Sequence, residues 1–119
     1  MKKILLCDDD RDITSLMKII IEGMDIEFAC YNRIIDIISL VRNEKPNLIL
    51  MDLWIPDIGG EKAIEELKTT EDTKDIPAIL FSASDKIEQI CDEIGADGCI
   101  RKPFDLKFFK NHIKELLEL

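Results

Sequence analysis

The chain has 119 residues, 46% of them apolar, with 16 basic against 25 acidic residues and a net charge of −9. That describes one domain with a real core, too short for a second folded module and too apolar to be disordered by composition. The acid excess would be repelled by a phosphate backbone and argues against direct nucleic-acid binding. No apolar run approaches the roughly 18 residues that span a bilayer.

The opening Met1-Lys2-Lys3-Ile4-Leu5-Leu6 reaches Asp8 too soon for a secretory signal, so a cytoplasmic location and no membrane partner are expected. Four cysteines, Cys7, Cys30, Cys91 and Cys99, share no zinc-ligand spacing, and each sits in an apolar context. Buried, reduced thiols are the expectation.

Strand and helix patterns alternate five times. Ile4-Leu5-Leu6-Cys7 is a first apolar run, and Ile13, Leu16, Met17, Ile20 and Met24 then recur at helical spacing, with Gly23 as a stop. Asp10 and Asp12 are placed to cap that helix and favour its positive end. Ile26-Glu27-Phe28-Ala29-Cys30 reads as a mixed strand. Asn32 is the predicted cap of a second helix with the face Ile34, Ile37, Ile38 and Val41.

Leu48-Ile49-Leu50-Met51 is the third strand run, followed by a turn from Pro56 to Gly60 and a helix marked by Ala63, Ile64 and Leu67. Ala78-Ile79-Leu80-Phe81 is the fourth strand. Ile87, Ile90, Cys91 and Ile94 mark the next helix, closed by Gly95. Gly98-Cys99-Ile100 is a short fifth strand. Leu106, Phe109, Ile113, Leu116 and Leu117 form the last helix face, with Asp105 as its cap.

Continuous apolar strands are buried on both faces, as in a parallel sheet covered by helices on each side. Runs one, three and four show that pattern and belong at the centre. The mixed second and short fifth runs belong at the edges. Right-handed crossovers then favour a doubly wound, flavodoxin-like α/β fold: a five-stranded parallel sheet in the order 2-1-3-4-5, with five helices on its two faces.

In that order Asp8, Asp9 and Asp52 converge at neighbouring strand ends, where open α/β sheets bind ligands. Three carboxylates that close repel one another, and a hard divalent cation with oxygen ligands is the natural remedy. Ser82 and Lys102, at the ends of the fourth and fifth strands, flank the same pocket. There the ammonium can neutralise one phosphoryl oxygen and the hydroxyl can donate to another. A cis bond between Lys102 and Pro103 is expected.

The acidic pair Asp8-Asp9, Asp52 ending the third strand, Pro56 and Gly60 in the next loop, Ser82-Ala83, and Lys102-Pro103-Phe104 resemble, in order and in strand context, the receiver domain of bacterial two-component response regulators. The resemblance covers residues 1–119 as a single domain. It implies that Asp52 accepts a phosphoryl group from the phosphohistidine of a sensor histidine kinase or histidine phosphotransfer protein. It also implies Mg2+ bound by Asp9, Asp52 and the backbone carbonyl of Trp54, with Asp8 holding a coordinated water, and a conformational switch that controls a downstream protein.

On this reading the chain is no enzyme beyond its own phosphoryl transfer and dephosphorylation. Two departures from the family stand out. Cys99 occupies the place of a Tyr or Phe whose ring swings inward, and Ser82 replaces the commoner threonine. Output is therefore expected from the loop after Ser82 and from the fourth helix.

A stand-alone receiver is the first expectation, since the chain ends with the fifth helix. A receiver module of a larger regulator or hybrid kinase is the alternative. Asp8 and Asp10 also give the DxD spacing of haloacid-dehalogenase-type phosphatases. Asp12 stands where that motif wants threonine, however, no later acidic pair follows, and there is no room for a cap.

Overall fold

The computed structural model describes residues 1–119. Ten elements alternate along the chain: β1 (Lys3–Cys7), α1 (Arg11–Glu22), β2 (Glu27–Tyr31), α2 (Ile37–Glu44), β3 (Leu48–Asp52), α3 (Gly60–Thr69), β4 (Ala78–Ser82), α4 (Ile87–Ile94), β5 (Gly98–Arg101) and α5 (Leu106–Leu117). All strand pairs are parallel, and the sheet order is β2-β1-β3-β4-β5. The expected topology is borne out.

Strand alternation divides the core in two. Leu5, Cys7, Ile49, Met51, Ala78 and Leu80 face α2, α3 and α4, against Ile37, Val41, Ala63, Ile64, Leu67 and Ile87. Ile4, Leu6, Leu48, Leu50, Ile79 and Phe81 face α1 and α5, against Met17, Ile20, Ile21, Phe109, Ile113 and Leu117. Strands β3 and β4 are buried at every residue, whereas β2 and β5 are only partly covered. Central strands buried on both faces have no polar side to alternate with, hence their continuous apolar runs. No helix is long and apolar enough to cross a membrane.

Asp10 alone caps α1, accepting from the amides of Asp12 (2.9 Å) and Ile13 (3.3 Å), while Asp12 sits in the acidic first turn. Asp105 caps α5 through the Phe108 amide. Gly95 closes α4 in the left-handed conformation, at φ 76°.

Several local expectations are corrected. The cap of α2 is Asp36, which accepts from the amide (3.2 Å) and hydroxyl (2.8 Å) of Ser39; it is not Asn32. Ile34 is not on that helix. Its backbone is engaged with the loop after β3, in a parallel bridge to Asp57, so the helix cannot begin until that pairing ends. Cys30 is exposed near the end of edge strand β2, although Phe28 on the same strand face packs against the second core layer. Leu16, expected on the apolar face of α1, and Leu106, at the start of α5 one turn before that helix reaches the core, are each 46% exposed.

Candidate functional site

The carboxyl ends of β1, β3, β4 and β5 meet in one cleft. Asp8 follows β1 and is fully buried, Asp9 beside it is exposed, and Asp52 ends β3 with 6% exposure. One carboxylate oxygen of each lies within 4.8 Å of the others. The register that sets Cys7 beside Met51 and Asp52 beside Phe81 produces this convergence, since parallel neighbours end side by side.

Lys102 closes the cleft from β5. Its Nζ donates to Asp8 Oδ2 at 2.6 Å, lies 3.6 Å from Asp52 Oδ1, and sits over the Phe81 ring, 4.7 Å from its centroid. The ammonium thus lies against two of the three carboxylates and a π-face that favours cations. The Lys102–Pro103 bond is cis, as the sequence led us to expect. Asp8 Oδ1 accepts from the Asp10 amide at 2.9 Å, so each oxygen of this buried charge has a partner. Burial pushes the Asp52 carboxyl above the ordinary range; neighbouring Asp8 adds to the rise, and Lys102 and the Trp54 backbone amide oppose it.

Ser82 is fully buried at the end of β4, and its Oγ accepts from the Ser84 amide at 3.3 Å. Its own proton is left to donate. Trp54, two residues beyond Asp52, exposes 72% of its surface. Behind the cleft the Cys7 thiol is pushed up to about 12 by burial, so it offers no thiolate. The remaining donors are carboxylate oxygens, of the kind that suit hard cations such as magnesium.

Phe81 is a contributor that sequence reasoning misses, and Gly60 is one whose physical role it does not show. Phe81 reads there as one more core residue, and nothing local marks its edge-of-core position under an ammonium. Gly60 stands where the loop after β3 meets α3 because of a close approach. A Cβ built on it would meet Asp52 O at 2.2 Å and Leu53 Cα at 2.8 Å. Its amide also donates to Leu53 O at 3.1 Å, which folds the loop back onto the end of β3.

Such an acidic cleft faced by a lysine, on this topology, has many relatives. A family model described as the response regulator receiver domain matches residues 4–114. The chain belongs to that family. It is a receiver domain of two-component systems, a signalling module and not a classical enzyme. A phosphorylatable aspartate and a magnesium site are typical of receivers.

The receiver is 33% identical to a transcriptional regulatory protein CpxR homolog of Haemophilus influenzae, across 98% of this chain and 51% of that protein. It is 31% identical to the phosphate regulon regulator PhoB of Pseudomonas aeruginosa, across 98% of this chain and 52% of that one. The chain therefore spans about half the length of the curated relatives it matches. Solved receiver structures share its fold. The activated N-terminal receiver domain of Klebsiella pneumoniae RstA superposes with a TM-score of 0.89 at 22% identity, covering 99% of this chain and all of that one. The receiver of the Pseudomonas aeruginosa sensor kinase PA1611, described with magnesium in its active site cleft, gives 0.88 at 18%, covering 99% and 98%.

Proposed function

We propose that Asp52 is the phosphoacceptor of this receiver and that Asp9, Asp52 and the Trp54 carbonyl hold Mg2+, with Asp8 binding one of its waters. The convergence of Asp8, Asp9 and Asp52 opposite Lys102 carries this reading. When bound, the ion would offset the charge between an attacking carboxylate and an anionic phosphoryl group.

An Asp52 oxygen attacks phosphorus, the bond from phosphorus to the donor's imidazole nitrogen breaks, and an aspartyl phosphate forms. Lys102, already near Asp52 Oδ1, moves toward a phosphoryl oxygen and loosens from Asp8. Ser82 turns its free proton to a second oxygen, drawing the loop after β4 inward. Phe81 supports the ammonium throughout. Water attack on phosphorus would break its bond to the Asp52 oxygen, release inorganic phosphate and return the free carboxylate.

The donor is the phosphohistidine of a sensor histidine kinase or phosphotransfer protein, and the output is control of a partner in the cytoplasm. The match to half of longer transcriptional regulators supports a receiver module within a larger regulator. Intact mass after incubation with acetyl phosphate and magnesium tests the site. One phosphoryl mass in the wild type and none in Asp52→Asn is the expected result. An adduct unchanged in that variant would overturn it.

A further inference from the structure

The loop from Asp52 to α3 is held by a second loop that the phosphoryl chemistry does not involve. Asp57, in its middle, adopts a left-handed backbone at φ 77°, a conformation uncommon outside glycine but tolerated by aspartate. Arg33, in the segment between β2 and α2, meets its carboxylate with two prongs, Nε to Oδ2 at 2.8 Å and Nη2 to Oδ1 at 3.3 Å. The next residue, Ile34, is buried and bonds on both sides of Asp57. Its amide donates to Pro56 O at 3.4 Å, and its carbonyl accepts from the Ile58 amide at 3.3 Å.

We infer that Arg33 is a positioning residue for the metal site: its fork on Asp57, with the Ile34 bridge, straps the loop that carries Trp54 and so presets the backbone carbonyl that would ligate magnesium. This rests on the assignment of the Trp54 carbonyl made above. The physical reason is preorganisation. A ligand contributed by a loop costs ordering entropy when the ion binds, unless other contacts have already ordered that loop. The loop reaches α3 through Gly59 and Gly60, two residues that add little stiffness of their own. The two-pronged ion pair and the bridge supply the restraint from outside, using a segment whose sequence would otherwise have extended α2.

Charge and restraint predict opposite signs, which makes the inference testable. Removing a cation near an acidic cleft would, on Coulomb's law alone, leave a divalent cation held as tightly or more so. Losing the strap would weaken it. Magnesium is titrated into the wild type, Arg33→Ala and Arg33→Lys, followed by Trp54 fluorescence and by calorimetry, with Ile58 amide exchange measured in metal-free protein.

Arg33→Ala should bind magnesium about two- to fivefold more weakly, the range an exposed ion pair commands. Ile58 should exchange severalfold faster, and Arg33→Lys, which keeps the charge but not the fork, should fall between. Equal or tighter binding by Arg33→Ala, or unchanged Ile58 exchange, overturns the strap alone. Failure of the wild type to bind magnesium overturns the metal assignment and the strap with it.

Discussion

The receiver's two working regions are built to different standards. Around β1 and β3 every side chain from Ile4 to Asp8 and from Leu48 to Leu53 is buried, α1 is capped by Asp10, and each oxygen of Asp8 has a partner. At the α4–β5 edge the strand has four residues, Cys99 is only half-buried, and Lys86, at the N-cap position of α4, makes no side-chain cap. Arg101 reaches across to the preceding loop through one long contact, Nη2 to Asp85 O at 3.4 Å. Phosphoryl transfer needs charges held in place, and switching needs an element that gives way at small cost. The difference teaches that one end of the sheet is firmly held and the other loosely, which on the proposed function would separate chemistry from readout.

The largest effect that could break this comparison lies at Asp52. Asp52→Asn should abolish phosphorylation while leaving the fold intact. It should also flatten one part of the pH dependence of metal-free stability. The folded pKa is raised, mainly by burial, so the protonated form is favoured on folding; that contribution is present at low pH and is lost as pH rises through the folded value. Urea midpoints of wild type and Asp52→Asn between pH 3.5 and 7, on the order of the reference carboxylate pKa and above, should therefore diverge as pH rises, with the variant the more stable at neutrality. Parallel curves would count against the repulsive cluster.

Lys102→Ala comes next. It leaves Asp8 buried with only the Asp10 amide, and breaking such a pair should cost about 3 kcal/mol in metal-free protein by chemical denaturation. Magnesium binding should persist and recover part of that loss, while the spectral change on phosphorylation shrinks. Gly60→Ala should follow at roughly 1–3 kcal/mol, the range for forced overpacking. The new Cβ must displace the Asp52 carbonyl, so phosphorylation by acetyl phosphate should slow as well.

The smallest effect is expected at the loosely held edge. Cys99→Ala should change stability by about 1 kcal/mol or less, as for truncating a half-buried side chain, and leave phosphorylation near normal. Partner binding should also survive, since a thiol fills too little volume to act as an inward-turning ring. Loss of partner binding with phosphorylation intact would put Cys99 in the readout and sharpen the contrast differently.

Much of the molecule was legible before any fold was seen. The continuous runs at Leu48–Met51 and Ala78–Phe81 told of central strands, the mixed 26–30 and short 98–100 runs told of edges, and strand-end acids told of a site. These signals are legible because burial on both faces, or on one, leaves its period in the local sequence. The start of α2 was not. Asn32 and Asp36 are both good caps by type, and what chose Asp36 was the pairing of Ile34 with a loop more than twenty residues away.

The sequence by itself determined on which edge of the sheet Asp8, Asp9, Asp52, Ser82 and Lys102 stand, because strand order follows from burial pattern and crossover handedness. Tertiary structure alone decided how those residues meet. It set Lys102 against Asp8 across 94 positions of chain, placed the Phe81 ring beneath that ammonium, brought Gly60 against the Asp52 carbonyl, and tied Arg33 to Asp57. Each of these contacts joins groups whose local sequence gives no reason to seek the other; their proximity exists only once the strands are in register.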